Sequence, residues 1–197
     1  MLNNKFSKGV IFSCIAAIFW GLPQPLFFNE LNHVETIEVV AHRGFWSFIF
    51  LFLLLILISN ISDFIEIFKS RKRIFILTIT AFLIAGNWAG FIYSVGQERV
   101  QDASMGYFIT PMISIVLGYF FLNEKITKPK FASVCLMFLG ILFLFINLNQ
   151  FPFLIIWIGT SWAIYGLLRK QVNVNPSIGL LYETFIISLI SIPYLAY

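Results

Sequence analysis

Seven continuously apolar stretches divide the chain, at 9–28, 37–58, 74–96, 103–122, 131–147, 152–168 and 176–197. Each matches or approaches the roughly 20 helical residues that cross a hydrocarbon layer about 30 Å thick. None carries the period-two alternation of an outer-membrane barrel strand, so the pattern predicts membrane-spanning α-helices. The fold class expected is an all-α, polytopic membrane bundle of about seven helices. The first stretch sits where a signal peptide would, but no small-residue cleavage site ends it, and it is expected to stay in the mature chain.

The polar links between these stretches differ in charge. Lys5 and Lys8 precede the first; Lys69, Arg71, Lys72 and Arg73 follow the second; Lys125, Lys128 and Lys130 follow the fourth; Arg169 and Lys170 follow the sixth. All of the 13 basic residues except Arg43 and Arg99 therefore fall on one side. The other side holds Glu30, His33, Glu35 and Glu38, then Glu98, Arg99 and Asp102, then an uncharged turn at 147–150. The positive-inside rule places the amino terminus in the cytoplasm and Tyr197 outside. The net charge of +4 is thus accounted for by topology, and no nucleic-acid partner is expected. Composition agrees: 59% of residues are hydrophobic and 11% charged, too apolar for an exterior that faces water on all sides. The two cysteines, Cys14 and Cys135, both lie in apolar runs and make no disulfide scaffold.

Weak internal repetition is visible. Trp20 is followed 23 residues later by Arg43, and Trp162 is followed 21 residues later by Glu183; between them, 38–43 aligns with 178–183. Five spans separate the two copies, and an odd number inverts the second relative to the first. Inverted repeats are a transporter architecture with the substrate site near the midplane. The expected domains are a complete five-helix repeat at 1–147 and the first two helices of an inverted second repeat at 151–197.

Several motifs carry a family likeness. They are His42, Arg43, Trp46 and Ser47; Gly86, Asn87 and Trp88 with Phe91, Ile92 and Tyr93; the run 103–111 ending in Thr110 and Pro111; the run 165–170 from Tyr165 to Lys170; and Glu183 with Thr184. Through them the chain resembles the RarD group, in the EamA branch of the drug/metabolite transporter superfamily, along nearly its whole length. The resemblance implies a bacterial inner-membrane secondary transporter of ten helices in two inverted five-helix repeats, moving a small organic solute through a central cavity. Members continue through three further helices, so the chain is expected to be a fragment or the product of a truncated gene. A non-transporting or partner-dependent remnant is the competing expectation.

Ionised side chains in the bilayer core cost about 2.5–3.5 kcal/mol each on insertion scales, so Arg43 and Glu183 must face protein or water. With Thr36 and Pro176 as the membrane edges, each lies seven residues in, about 10 Å from its own membrane face at 1.5 Å per residue. They enter from opposite sides, which leaves their backbones about 10 Å apart in height. One reading has them line a single polar cavity; the other has a structural pair, or Arg43 snorkelling to headgroups. His42 points about 100° away from Arg43 and suits either an interface hydrogen bond or a proton relay. Asn87 and Trp88 are expected to face protein, with Asn87 a candidate ligand contact. Trp20 and Trp162, at matching places in the two copies, are candidate walls for a flat substrate or ordinary packing residues. Trp157 suits an interfacial belt, and the phenylalanines are read as lipid-facing.

Pro23 and Pro25, beside Gly21, should break the first helix, and irregular backbone at membrane depth is tolerated only beside protein or a water-filled cavity. Pro111 would free the carbonyl of Tyr107 toward that cavity. Small residues recur every fourth position at Gly106, Thr110, Ser114 and Gly118, at Gly86, Gly90 and Ser94, and at Ser13, Ala17 and Gly21. Such stripes let helices approach closely, within the chain or across a homodimer. The chain lacks a phosphate-binding glycine loop with lysine, an H-E-x-x-H zinc helix and a G-x-S-x-G elbow, so neither ATP hydrolysis nor a cofactor is expected, and an intramembrane enzyme is only a minor alternative. The expected partners are the lipid bilayer and a small organic solute.

Overall fold

A computed structural model describes residues 2–57, 61–146 and 151–197, without the side chains of 2–6 and 61. The described residues form helices joined by short links: α1 Leu2–Gly21, α2 Pro23–Glu30, α3 Thr36–Leu57, α4 Ile61–Phe68, α5 Arg71–Gly96, α6 Val100–Leu122, α7 Lys128–Ile146, α8 Phe153–Gln171 and α9 Pro176–Leu195. Six segments among them are long and apolar enough to span a membrane: 7–30, which joins α1 to α2, and α3, α5, α6, α7 and α9. The sixth stretch of the sequence pattern is α8, whose apolar character is diluted by Thr160, Ser161, Arg169 and Lys170. The far ends of the second and fifth predicted stretches, Ile58 and Asn147, and the expected turn at 147–150, lie outside the described residues.

Helix boundaries follow local chemistry. At the α1–α2 break, Leu22 leaves helical geometry (φ −122°, ψ −69°) and Pro23 begins α2 where its missing N–H is not needed. The Asn175 side chain accepts a 3.0 Å hydrogen bond from the Ser177 amide, and Pro176 follows as first residue of α9. Asn123 closes α6 in the left-handed conformation (φ 52°), which asparagine tolerates better than most side chains.

The interior is built from α5, α8 and α9. Helix α8 packs against α6 and α5, and α9 against α3 and α5, while α1 and α7 lie at the periphery. One apolar cluster joins Val39, Ile84, Trp88, Phe91, Ala103, Ile158 and Ile187; a second joins Leu55, Ile67, Leu77, Ile178 and Leu181. Small residues decide how close the helices come. A Cβ on Gly159 would stand 2.7 Å from the Gly106 carbonyl oxygen, and one on Gly106 would stand 2.8 Å from Ile158 Cβ. Association in lipid rests on such contacts, because acyl chains supply no hydrophobic drive. The stripe on α1 behaves differently: Gly21 has no neighbour where its Cβ would be.

Three expectations are corrected here. Trp157 is not simply an interfacial ring, since it lies across Gly86 and Gly90 and its indole Nε1–H donates to the Gly86 carbonyl at 2.9 Å. The phenylalanines are not all lipid-facing, because Phe28 and Phe91 are buried and meet edge to face at 6.0 Å. The link after α3 is not merely polar, because it contains α4. That helix turns Ile67 fully inward and sets Phe64 and Phe68 against Tyr182, with Asp63 and Glu66 on its other positions.

Candidate solute-binding cavity

The broken first helix stands beside a cavity of about 380 Å³. Trp20 and Gly21 border it from α1, Gln24 and Pro25 from α2, and Arg43 from α3. Asn87, Trp88 and Phe91 come from α5, Ser104 and Tyr107 from α6, and Trp162 from α8. Six of the seven candidate residues of the sequence are therefore brought together: Trp20, Arg43, Asn87, Trp88, Tyr107 and Trp162.

Arg43 supplies the charge. Its guanidinium carbon lies 4.1 Å from the centroid of the Trp88 ring and 5.5 Å from that of Phe28, within cation–π range of both. Its Nη1 is buried with no hydrogen-bond partner, and among the described residues Arg43 joins no ion pair. The aromatic wall is continuous. Trp20 meets Trp162 edge to face at 6.0 Å, Trp162 meets Tyr107 at 6.4 Å, and Trp162 stacks on Tyr165 at 5.1 Å.

Asn87 borders the cavity yet spends its amide inside the protein. Nδ2 donates to the Ile158 carbonyl (2.9 Å) and to Ser161 Oγ (3.0 Å), while Oδ1 accepts from the Tyr107 hydroxyl at 2.9 Å. It therefore ties α5 to α8 and orients Tyr107. The Tyr107 hydroxyl is thereby fixed at the edge of the cavity that Tyr107 borders.

Glu183 is elsewhere. It is fully buried in α9, accepts from Thr80 Oγ1 at 2.7 Å and from the Tyr165 hydroxyl at 3.1 Å, and pairs with Arg169 Nε at 3.6 Å. The expectation that Glu183 and Arg43 line one hollow, or pair with each other, is corrected. The α8–α9 turn brings Arg169 nearer, and the bare backbone of Gly179, one helical turn before Glu183, leaves room for its guanidinium. Arg169 Nη2 also donates to the Pro176 carbonyl at 3.1 Å. Arg169 was read as a loop charge; the structure turns it inward. Lys170, the next residue, pairs with Glu124 at the end of α6, and that bond holds the Glu124 carboxyl below its ordinary pKa.

His42 does not border the Arg43 cavity. It lies with Glu38 and Trp46 along a wider groove of about 860 Å³ between α1–α2 and α3, which shares only Trp20, Gln24 and Arg43 with the cavity. Among the described residues no three His, Cys, Asp or Glu side chains gather as metal ligands. Sequence reasoning missed Gln24, Ser104, Thr80, Tyr165, Ser161 and Arg169 as site residues. An isolated hydroxyl or amide inside an apolar run was the available signal for all but Arg169, whose role depends on the turn.

Comparison with known proteins places these features in a family context. The profile of the EamA-like transporter family matches residues 7–146. Protein RarD of Escherichia coli is 34% identical over 177 residues, covering 90% of this chain and 60% of that protein. An uncharacterized transporter of Vibrio cholerae is 33% identical, over 90% of this chain and 58% of that protein. The uncharacterized transporter YojE of Bacillus subtilis is 30% identical, over 100% of this chain and 67% of its own length. The chain thus spans about three fifths of the first two relatives. No solved structure matches it.

Proposed function

The chain belongs to the EamA-like transporter family, and from that premise we propose that it forms the solute-binding part of a secondary transporter. It is a multi-pass membrane protein, and the cavity beside the α1–α2 break is its solute site. The observation that carries this reading is the convergence of Trp20, Gln24, Arg43, Tyr107 and Trp162, from five different helices, on one hollow. A broken helix, an intramembrane cation and an aromatic lining are the devices by which transporters admit and hold a polar solute at membrane depth. In this reading residues 1–147 are one five-helix repeat and 151–197 begin an inverted second. The paired positions of Trp20 and Trp162, which touch across the cavity, support it. The basic links put the amino terminus on the cytoplasmic side of a bacterial inner membrane.

Cysteine accessibility tests the reading without a known solute. In a background where Cys14 and Cys135 are replaced by serine, Ser104→Cys is expected to react readily with a membrane-impermeant thiosulfonate. Phe138→Cys, on the exposed face of α7, is expected to react slowly because it faces acyl chains. Equal, slow labelling at both positions would mean that the cavity holds no water path, and the reading fails.

A further inference from the structure

Resting on that solute site, we propose that the cavity selects an organic anion: a carboxylate set against Arg43, carried on a flat apolar body held by Trp20 and Trp162. Three observations converge on this chemistry. First, the guanidinium of Arg43 is the one charged group bordering the cavity among the described residues, and no Asp or Glu lines it. Glu38 lies in the neighbouring groove and makes no ion pair with Arg43.

Second, Arg43 is held but not satisfied. The guanidinium carbon sits over the Trp88 ring, whereas Nη1 is buried without an acceptor. Guanidinium donors lie in the plane of the group, and a planar fork of them matches a carboxylate better than any neutral acceptor. Two of the competing polar side chains, Asn87 and Ser104, are already engaged, and the third, Gln24, is neutral. Asn87 has its amide bound to Ile158, Ser161 and Tyr107, and Ser104 Oγ donates to the Val100 carbonyl at 3.1 Å. The strongest free donor in the cavity is therefore cationic, and a cationic solute would meet a like charge in a low-dielectric site.

Third, the remainder of the wall is aromatic. The edge-to-face pair of Trp20 and Trp162, with Tyr107 perpendicular to Trp162, leaves ring surfaces suited to a planar body. The volume, about 380 Å³, falls at the small end of the range of about 300–1,000 Å³ typical of small-molecule sites.

The test uses the full 197-residue chain in a neutral maltoside detergent, with three ligands that share one ring. They are 4-fluorophenylacetate, its uncharged amide, and 4-fluorophenethylamine, each followed by fluorine NMR line broadening. The carboxylate is expected to bind about tenfold more tightly than the amide, the fold-change that a charge-assisted bond supplies, and the amine more weakly still. Arg43→Gln should abolish the preference, and Arg43→Lys should keep part of it. An amide or amine that binds the native chain as well as the carboxylate overturns the proposal. So does a preference that survives R43Q, or no binding of any of the three. The ligand series on the native chain stands even if R43Q fails to fold. If Ser104→Cys labels from water while the amide matches the carboxylate, only the anion preference fails. If Ser104→Cys does not label, the solute site fails with it.

Discussion

Arg169→Ala should damage the fold more than Glu183→Gln, although both remove one side of the same ion pair. Glu183 is fully buried, and the side chain of Arg169 is 13% exposed. Deleting the guanidinium strands a carboxylate that keeps two hydroxyl donors, Thr80 at 2.7 Å and Tyr165 at 3.1 Å, but loses its counter-charge. Removing one partner of a buried pair costs about 3–5 kcal/mol, most of it the penalty of the unpaired charge. Glu183→Gln is gentler. The carboxamide oxygen can still accept from both hydroxyls, and Arg169, in the last turn of α8 where a cation suits the helix dipole, keeps its bond to the Pro176 carbonyl. Its cost should be about 1–2 kcal/mol, a bond or two weakened. The double variant should therefore resemble E183Q, so the cycle returns a coupling as large as the cost of R169A itself, about 3–5 kcal/mol. Gly179→Val gives a third handle: its side chain occupies the seat of the guanidinium and should displace it without removing charge. The assay is SDS-driven unfolding in mixed micelles, followed by tryptophan fluorescence and circular dichroism. If R169A costs under about 1 kcal/mol, or if the double variant is as unstable as R169A, the pair carries no such energy and the reasoning is wrong.

Other outcomes follow from the same geometry. Gly159→Ala should separate α6 from α8, because its Cβ would stand 2.7 Å from a backbone oxygen that cannot swing aside; overpacking of this kind costs about 1–3 kcal/mol, read as a lower unfolding midpoint in the same titration. Asn87→Leu should cost about 1–2 kcal/mol and free the Tyr107 ring, seen as altered Trp162 emission, since it removes the bond at 2.9 Å that orients the hydroxyl. Glu124 should titrate below the ordinary carboxylate range, and Lys170→Ala should raise it, as a carboxyl-carbon NMR titration would record. Because its folded pKa is depressed, the contribution of this bond to stability is present above the unfolded carboxylate value and is lost as pH falls through the folded one. An unchanged Glu124 titration in K170A would show that the bond does not form in solution.

Much of the architecture was legible before any coordinates. Helical spans in lipid need long apolar runs with internally satisfied backbones, and that requirement writes itself directly into the sequence. Pro23 and Pro25 announced the break at Leu22 for an equally local reason, the missing amide and the steric clash. The gathering of Trp20, Arg43, Asn87 and Trp162 was anticipated only as separate candidates, each from the cost of placing a polar or aromatic group where lipid would not hold it. Helix α4 was missed because a short amphipathic segment among charges looks like a loop until something covers its apolar face; here Tyr182 does.

What only the tertiary structure decided is which partner each group has. In one dimension Arg43 and Glu183 are the two ions at depth and invite pairing, while Arg169 looks like a topological marker beside Lys170. The turn between α8 and α9 and the bare backbone of Gly179 give Arg169 to Glu183, and that choice leaves Arg43 over Trp88 and Phe28 without an ion pair among the described residues. Periodicity and hydropathy are properties of single segments, so the sequence determined the spans, their break and their charge asymmetry. Ion pairing and cavity lining depend on distances between segments, set by close contacts such as Gly106 against Gly159, and no one-dimensional pattern carries them.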